Sequence, residues 1–445
     1  MPVQGSKLIR NVPRQHLPTI ERAEGVFLWD DEGNRYLDGS SGAVVSCLGH
    51  GDPAVLSAMA EQAALVTFTH RGAFTSRAAE NLADQLATLT GMAGVWLVNS
   101  GTEAVEAALQ FAMQYWREVG DHRRTRFLSH EHGYHGATMG ALSLSGHARR
   151  DNVEALLHKF HTLPAPWPYR YANGRTDAEF TADLLVGARQ AIAEAGDELA
   201  GIVVEAIGGA TGSVIVPPDG YLPGLERLCR EAGVLLIGDE VLTGLGRTGT
   251  ALAVDHWGVR PDIVALGKGL GAGYTPIAAT LLNARVLDAL AKGSGTIRHG
   301  HTYAGNPLSA AVAKAVLTQL AERDLFGAAR TAGIRLRAGL DELATRHPVI
   351  GEVRGVGLLH AVELVTDREA RSVDTAPGVL SARLVRVSAA HGLLVYPSTG
   401  GFNDAVTIAP PFTIADDEID LVIASLDAAL GDVEAELGLQ AAGVV

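Results

Sequence analysis

One stretch constrains the fold of this chain more than any other: a buried strand, an acid, and then a lysine framed by glycines. Residues 234–237 are four branched apolar residues in a row, a pattern typical of a parallel strand covered by helices on both faces. Asp239 follows, and ligands of such sheets bind beyond the carboxyl ends of the strands. A second short strand at residues 261–267 leads to Lys268. We therefore predict that Asp239 and Lys268 lie at the carboxyl ends of two nearby strands.

A carboxylate near an amine in a binding site has a specific chemical use. An amine can form a Schiff base with an aldehyde, and pyridoxal phosphate (PLP) is the aldehyde cofactor that needs an acid facing its pyridine nitrogen. Alternatively, Asp239 caps a turn and Lys268 is an ordinary surface lysine. The chain has only five lysines, and Lys268 alone is flanked by glycines after a buried strand. These features favour a PLP site.

A second candidate site lies after a predicted strand at residues 94–98, where Ser100, Gly101 and Thr102 open a helix. A small-residue turn at a helix N-terminus can bind an anion, because free N–H groups and the helix dipole point at it. Ser100 or Thr102 could instead cap the helix, with a glutamate of the first turn completing a capping box. Both interpretations remain open, since a cap can also hold a phosphate.

Three histidines, His130, His132 and His135, follow a predicted strand. They suggest zinc, but they lie on a strand end and turn, without i, i+4 helical spacing and without a cysteine. We therefore expect no metal. Tyr134 in the same segment offers an aromatic face that could stack on a flat ring.

Composition excludes several classes of partner. The net charge is −14, with no basic cluster, which argues against nucleic acid and anionic membranes. Cys47 and Cys229 are too few for a disulfide framework, which fits a reducing compartment. We find no secretory signal and no long uncharged apolar run. We expect a cytoplasmic protein that acts on small molecules.

Strand, loop and helix alternate through the middle of the chain, and Glu205 ends another buried strand. This order predicts an α/β fold with a mostly parallel, doubly wound sheet. The C-terminal part changes to an α+β pattern. We predict a PLP-binding large domain at residues 56–320 and a small domain at 321–445. Residues 1–55, an N-terminal segment and hairpin, are assigned to the small domain.

The shorter elements are predicted from local patterns. Residues 1–25 look irregular, and residues 25–38 alternate around a turn as a hairpin does. Residues 147–177 lack any period and predict a long loop. Short strands are predicted at residues 393–396 and 406–409.

With these residues assembled, the sequence closely resembles the class III aminotransferases, PLP enzymes of the aspartate-aminotransferase-like fold (fold type I). This family includes ω-amine:pyruvate, ornithine and 4-aminobutyrate transaminases. The match covers nearly the whole chain, and its most specific parts are residues 239–249, 261–263 and 267–269. The implied activity moves an amino group between an amine and a 2-oxo acid, such as pyruvate or 2-oxoglutarate. It would run as a ping-pong cycle between PLP and its amine form, PMP.

The resemblance implies two catalytic residues, with Lys268 as the Schiff-base lysine and proton shuttle and Asp239 as the partner of the pyridine nitrogen. The other residues expected around the cofactor are Tyr134 and Val241 on the ring faces, Ser100, Gly101 and Thr102 at the phosphate, Glu205 near the ring, His135 as scaffold, and Thr302 from a second subunit. Arg247 also matches and is interpreted as scaffold. Thr302 requires at least a homodimer, and a dimer of dimers is also open.

The chain departs from the family at positions that bear on the substrate. Relatives acting on ornithine-type substrates carry an arginine where this chain has Ala137, another aligned with Thr407, and often a glutamate where it has Ala210. The absence of these arginines, which would bind a substrate carboxylate, and of the glutamate argues against ornithine or 4-aminobutyrate as the donor. An amine with little charge, such as an amino sugar or a secondary-metabolite amine, fits better. The 2-oxo acid still needs a cation, for which Arg149 and Arg150 are candidates.

Three other functions would share some of these sequence features. A PLP-dependent racemase or lyase of the same fold would use the same residues, and stereo-inversion without an acceptor or release of ammonia would reveal it. A PLP-containing regulatory protein is disfavoured, because no DNA-reading segment is present. An NAD enzyme is disfavoured as well, because no Gly-x-Gly-x-x-Gly follows an early strand.

Overall fold

The computed structural model of the protein describes residues 7–13 and 15–439. Within these ranges the strands are, in chain order, β1 (Ile20–Glu24), β2 (Phe27–Asp30), β3 (Arg35–Asp38), β4 (Gly94–Val98), β5 (Arg126–His130), β6 (Thr162–Leu163), β7 (Leu199–Glu205), β8 (Leu235–Asp239), β9 (Ile263–Leu266), β10 (Ala278–Leu282), β11 (Ile350–Val356), β12 (Leu359–Leu364), β13 (Leu393–Leu394), β14 (Tyr396–Pro397) and β15 (Ala405–Ile408).

The helices connect and cover these strands. They are α1 (Ser41–Val44), α2 (Pro53–Leu65), α3 (Arg77–Thr90), α4 (Gly101–Glu118), α5 (Met139–Leu144), α6 (Pro168–Tyr171), α7 (Asp177–Ala195), α8 (Tyr221–Ala232), α9 (Ala284–Lys292), α10 (Pro307–Glu322), α11 (Leu325–Arg346), α12 (Val379–Ala390) and α13 (Asp416–Leu437). No helix within the described ranges combines the length and apolar character needed to cross a membrane.

A central sheet has the strand order β4-β10-β9-β8-β7-β5-β6. Strands β6, β5, β7, β8 and β9 run parallel to one another, which confirms the predicted mostly parallel sheet. Strand β10 runs antiparallel to both β9 and β4. It was not predicted, because its short apolar run follows a glycine- and proline-rich segment that obscures where the strand starts.

Register in the central sheet aligns the strand ends that carry polar side chains. Glu205 at the end of β7 pairs with Asp239 at the end of β8, and Asp239 pairs with Ala265 in β9. Lys268 follows β9 after a single residue, Gly267. Because parallel strands present their carboxyl ends at one edge, these residues converge there.

Two smaller sheets flank the central one. The N-terminal sheet has the order β1-β2-β3-β13, and the C-terminal sheet has the order β11-β12-β15-β14. Strand β13 pairs in parallel with β3, so residues from opposite ends of the chain share one sheet. This pairing supports our proposal that residues 1–55 and 321–445 form one small domain beside a large domain at 56–320.

Several local predictions were wrong in detail. The segment 1–25 is not irregular throughout, because β1 pairs with β2 on the mostly exposed edge of the N-terminal sheet. Both faces of β1 meet solvent, so it carries no apolar alternation. Residues 147–177 contain the short edge strand β6 and helix α6. Residues 393–396 divide between β13 and β14, which lie in different sheets. Residues 1–6 and 14 of the predicted N-terminal segment lie outside the described residues.

Candidate active site

A cavity of about 210 Å³ opens at the carboxyl ends of β7, β8 and β9. Most of the residues singled out from the sequence meet here, although larger cavities lie elsewhere on the molecule, such as the one between α3 and α10. The cavity is lined by Gly101, Thr102, Tyr134, His135, Gly136, Glu205, Ala210, Asp239, Val241, Leu242 and Lys268.

Lys268 stands at the end of β9 with its backbone in the left-handed region, at a φ of 40°. Such a conformation is costly for a residue with a side chain, and it is found where surrounding structure holds a functional group in place. Within the described residues no hydrogen bond or ion pair holds the amine. Burial lowers the pKa of Lys268 to about 8, although the charges of Glu205 and Asp239 oppose the decrease. The neutral fraction of this amine near physiological pH is therefore much larger than that of an exposed lysine, although the protonated form still predominates.

Asp239 is 5% exposed, and both of its carboxylate oxygens accept a hydrogen bond from the protein. Oδ2 is 2.8 Å from His135 Nδ1, and Oδ1 accepts from the backbone N–H of Val241 at 3.1 Å. Burial acts to lower the pKa of His135, but the hydrogen bond and charge of Asp239, together with Glu205, outweigh it and raise the pKa. These two hydrogen bonds fix the orientation of the Asp239 carboxylate.

Glu205 lies beside Asp239 at the end of β7, and it is held by backbone groups. Oε2 accepts from the N–H of Tyr134 at 2.9 Å, and Oε1 accepts from the N–H of Gly209 at 2.8 Å. Burial raises the pKa of Glu205 to about 7; the nearby His135 opposes the rise, and the charge of Asp239 adds to it. The site therefore contains two adjacent carboxyl groups with different surroundings, which is typical of catalytic pairs.

Two walls of the cavity are apolar or aromatic. Val241 packs against the first turn of α4, where a Cβ atom on Gly101 would come within 2.5 Å of Val241 Cγ1. Glycine is therefore required at position 101 for this close approach. Tyr134 lines the cavity from the segment after β5, and its hydroxyl accepts from Arg149 Nη1 at 2.7 Å.

The N-terminus of α4 forms one end of the cavity. Ser100 is the N-cap, and its hydroxyl accepts from the N–H of Glu103 at 3.3 Å. Thr102 faces the turn after His135, where its hydroxyl accepts from the N–H of Ala137 at 3.0 Å. The first amide groups of a helix have no acceptor within the helix, so they can bind an anion.

The comparisons with known proteins agree with this geometry. The model of the family described as aminotransferase class-III matches residues 10–430. The uncharacterized aminotransferase YodT of Bacillus subtilis is 41% identical over 440 residues, which is 97% of this chain and 99% of that protein. The chain belongs to the class III aminotransferases. Enzymes of this family use PLP to exchange amino groups between an amine and a keto acid, so the predicted family, enzyme class and cofactor are confirmed.

Solved structures extend the agreement to the fold. The ω-transaminase of Pseudomonas jessenii in complex with PMP has a TM-score of 0.91 and 32% identity, covering 95% of this chain and 94% of that one. A PLP-bound amine transaminase from an uncultivated Pseudomonas species has a TM-score of 0.90 and 37% identity, covering 97% and 98%. The aminotransferase has the fold type I architecture predicted from its sequence.

The residues around the cavity of this aminotransferase fit PLP. Lys268 lines the cavity, and its amine has no hydrogen-bond or ion-pair partner among the described residues, so it is available to an aldehyde. The carboxyl group of Asp239 offers an acceptor for a protonated ring nitrogen, and the first turn of α4 offers donors for a phosphate. Each reactive part of the cofactor thus has a chemical counterpart on a different wall of one cavity.

Two predicted site residues of the aminotransferase do not line this cavity. Ser100 points into the helix cap, as the capping interpretation predicted. Thr302 is exposed on the loop before α10 and does not line the cavity of its own chain. Arg247 is buried, and its guanidinium donates to the carbonyls of Leu358 and Pro410 at 3.1 and 2.7 Å, which fits a scaffold role.

The three clustered histidines have separate partners. His130 Nε2 is 2.8 Å from the hydroxyl of Tyr221, and His132 Nε2 is 2.6 Å from that of Tyr171, while His135 pairs with Asp239. Among the described residues no group of histidine, cysteine and acidic side chains is arranged to hold a metal ion.

The three positions that bear on the substrate, Ala137, Ala210 and Thr407, have different surroundings. Ala210 lines the cavity, so the wall at this position carries a methyl group and no charge. Ala137 is exposed beside the cavity, whereas Thr407 is 4% exposed inside β15. The geometry therefore gives the inference drawn from Thr407 no support.

Sequence reasoning missed some residues of the site. Gly136 and Leu242 line the cavity, and each follows a predicted site residue directly in the sequence. Ser145 was also missed; its hydroxyl accepts from the N–H of His135 at 2.9 Å and fixes the turn that carries this histidine. No sequence signal marked Ser145, because the contact joins two turns ten residues apart.

Proposed function

We propose that this aminotransferase takes amino groups from an amine of low charge and passes them to pyruvate or 2-oxoglutarate. The observation that carries the proposal is the uncharged cavity wall at Ala210. A donor with a second ammonium or carboxylate group would meet the methyl group of Ala210 on this wall, and burying a charge against an apolar group is costly. Ornithine and 4-aminobutyrate are for this reason not the expected donors.

PLP, when bound, supplies an aldehyde that takes up the amino group and a ring that withdraws electrons from the substrate carbon. Lys268 is the proposed base and acid: its neutral amine accepts the proton of the substrate carbon at Nζ and returns it to the cofactor side. A pKa of about 8 suits this role, since proton transfer is most efficient when the pKa is close to the working pH.

Asp239 is proposed to face the ring nitrogen and to keep it protonated. The hydrogen bonds from His135 and Val241 fix the carboxylate, so it is oriented before any ligand arrives. Tyr134 and Val241 would contact the two ring faces, and Gly101 and Thr102 the phosphate. Glu205 would lie close to the ring beside Asp239.

We further propose a homodimer in which Thr302 serves the partner's site. An exposed apolar patch beside Thr302 supports this: Leu65, Phe68, Phe74 and Tyr303 are 79%, 43%, 71% and 64% exposed. Contiguous patches of this kind mark protein interfaces. Phe68 and Tyr303 pack against each other with ring centroids 6.1 Å apart, so the two loops form one surface. The mass of the protein in solution would show whether two dimers associate into a tetramer.

The homodimer can be tested by mixing subunits. A Thr302→Ala chain keeps Lys268, and a Lys268→Ala chain keeps Thr302. If Thr302 acts on the partner's site, a mixed dimer contains one complete site and regains activity at low PLP concentration. Mixed dimers that show no recovery would place Thr302 in the site of its own chain. Light scattering of each sample gives the oligomeric state independently.

A cytoplasmic location is also proposed. Cys47 and Cys229 are both free and buried, which is compatible with a reducing compartment. Fractionation of cells that produce the protein at native level, followed by immunoblotting, would test it.

The substrate proposal is tested with a donor panel. Purified PLP-loaded enzyme is mixed with a neutral monoamine, ornithine or 4-aminobutyrate, and absorbance follows the loss of the PLP form. We expect a response to the neutral amine at least about tenfold faster than to the charged donors, as a hydrogen-bonded charge contributes about 1.5–3 kcal/mol. A faster response to ornithine would refute the proposal. Inversion of a chiral amine without acceptor, or ammonia release, would instead reveal the racemase or lyase.

A further inference from the structure

The outer rim of the cavity is built by two surface segments that bond to each other. The turn at Ala148–Arg150 follows His147, whose Nε2 lies 3.0 Å from Thr399 Oγ1. The N–H of Ala148 donates to the carbonyl of Gly400 at 3.2 Å. The N–H of Thr399 in turn donates to the carbonyl of Ala210 at 3.0 Å. This chain of bonds ties the turn that carries Arg149 to the cavity wall at Ala210.

Two adjacent arginines of this turn have different surroundings. Arg150 is committed to structure, because its Nη1 donates to the carbonyls of Ser143 and Ser145 at 2.9 and 2.8 Å, at the end of α5. Arg149 is exposed, and Nη1 donates to the hydroxyl of Tyr134 at 2.7 Å. Among the described residues no carboxylate forms an ion pair with Arg149. Most of its donors are therefore free, next to an aromatic side chain that lines the cavity.

The groups that surround Arg149 leave its charge uncompensated. Burial, and then the charge of Arg149, lowers the pKa of His147 to about 4, so this imidazole is neutral. Tyr396 also senses Arg149; burial raises the pKa of this phenol and the guanidinium opposes the rise. Both neighbours are uncharged at neutral pH. The guanidinium thus presents a positive charge and a planar set of donors that match a carboxylate.

We infer that Arg149, together with the hydroxyl of Tyr134, binds the carboxylate of the 2-oxo acid acceptor. The inference rests on the proposed function and names the residue through which the acceptor is recognised. Arg149 is a specificity residue, because the amine donor has no carboxylate for it to bind. The competing explanation is that Arg149 only holds Tyr134 in position.

The two explanations differ in which half of the reaction depends on Arg149. We would compare wild type, Arg149→Gln and Arg149→Lys as PLP- or PMP-loaded enzymes. Absorbance follows the first half with a neutral amine and the second half with pyruvate, 2-oxoglutarate or a simple aldehyde. Arg386→Gln is the matched control, since Arg386 is exposed on α12 and loses the same charge.

If Arg149 binds the carboxylate, Arg149→Gln raises the apparent Kd of both 2-oxo acids about ten- to hundredfold, the range for a lost hydrogen bond to a charged group. The response to the neutral amine and to the aldehyde changes less than threefold. Arg149→Lys recovers part of the affinity, and the control behaves as wild type. An equal loss with amine, aldehyde and 2-oxo acids would show that Arg149 only positions Tyr134, and the inference would fall.

Binding without turnover gives a second readout. Titration calorimetry of PLP-loaded enzyme with propionate, which has neither amine nor ketone, should detect binding in wild type and a loss of at least tenfold in Arg149→Gln. Unchanged propionate and pyruvate affinities would overturn the inference while leaving the aminotransferase proposal intact. A wild-type enzyme that converts no neutral amine but transfers amino groups from charged donors would instead contradict the proposed donor.

Discussion

The candidate active site of this aminotransferase contains two regions with opposite physical character. The cofactor wall, made of Glu205, Asp239 and Lys268, lies at the ends of adjacent strands, where register fixes the position of each side chain. The rim, made of Arg149, Ala210 and Thr399, lies on surface segments that hydrogen bonds tie together. In the cofactor wall every carboxylate is bonded by the protein. In the rim, the guanidinium of Arg149 donates one hydrogen bond, to Tyr134, and has further N–H groups that could bind a ligand.

The difference between the two regions implies that the cofactor wall serves the reaction, whereas the rim determines which substrates are accepted. Strand ends in a packed sheet cannot move independently, so the groups of the cofactor wall are oriented before ligands bind. Loops tolerate substitution, so the rim can change its charge without disturbing the sheet. Changes in the cofactor wall should therefore affect all substrates alike, whereas changes in the rim should affect substrates selectively. The predictions below test this contrast, from the largest expected effect to the smallest.

Lys268→Ala should cause the largest loss, on the order of ten-thousandfold in the rate of amino transfer for every donor, because it removes the amine that lines the cavity. Stopped-flow absorbance with a neutral amine measures it. Lys292→Ala is the matched control, since Lys292 is exposed and pairs with Asp288 at 2.9 Å. A Lys268→Ala enzyme with undiminished transfer would remove this residue from the mechanism.

Asp239→Asn should slow transfer about a hundred- to thousandfold for all donors, because the amide cannot stabilise a protonated ring nitrogen as a carboxylate does. It should also weaken cofactor binding, which titration of the PLP absorbance measures. Asp288→Asn on the surface serves as the control. A loss confined to one class of donor would show that Asp239 affects substrate selectivity, as the rim does, and would contradict its place in the cofactor wall.

The sequence predicted the cofactor wall far better than the rim, for a physical reason. Buried parallel strands require apolar runs, so residues 201–205, 234–237 and 261–267 revealed their ends and the polar residues there. The rim depends on contacts between residues 147–150 and 399–400, which have no periodicity and are distant in sequence.

The pH dependence of cofactor capture should reveal the lowered pKa of Lys268. With a pKa of about 8, the neutral amine needed for capture rises from roughly 1% at pH 6 to about half at pH 8, and levels off above that. The rate at which apo-enzyme takes up PLP should therefore rise up to about a hundredfold between pH 6 and 9 and then stay constant. A rate that continues to rise through pH 10 would indicate an ordinary lysine.

His135→Leu should reduce transfer about tenfold for all donors, because Asp239 loses a charged hydrogen-bond donor in a buried setting. His135→Asn, which keeps a neutral donor, should lose less. The pKa of His135 is raised, so the protonated form that supports Asp239 persists to a higher pH than for a free histidine and is lost as the pH rises further. The ratio of the wild-type rate to the His135→Asn rate should accordingly decrease as the pH rises above the pKa of His135.

Ala210→Glu should give the smallest and most selective effect, because it changes the rim and leaves the cofactor wall intact. A carboxylate at position 210, on the wall tied to the turn of Arg149, would compete for this guanidinium and raise the KM for pyruvate about three- to tenfold, the size expected of a partly exposed ion pair. Ala210→Gln has the same size without the charge and should change the KM much less. Cofactor affinity should be equal in the three proteins. If Ala210→Glu weakened PLP binding as strongly as pyruvate binding, the rim and the cofactor wall would not be separable, and specificity could not be altered without cost to the reaction.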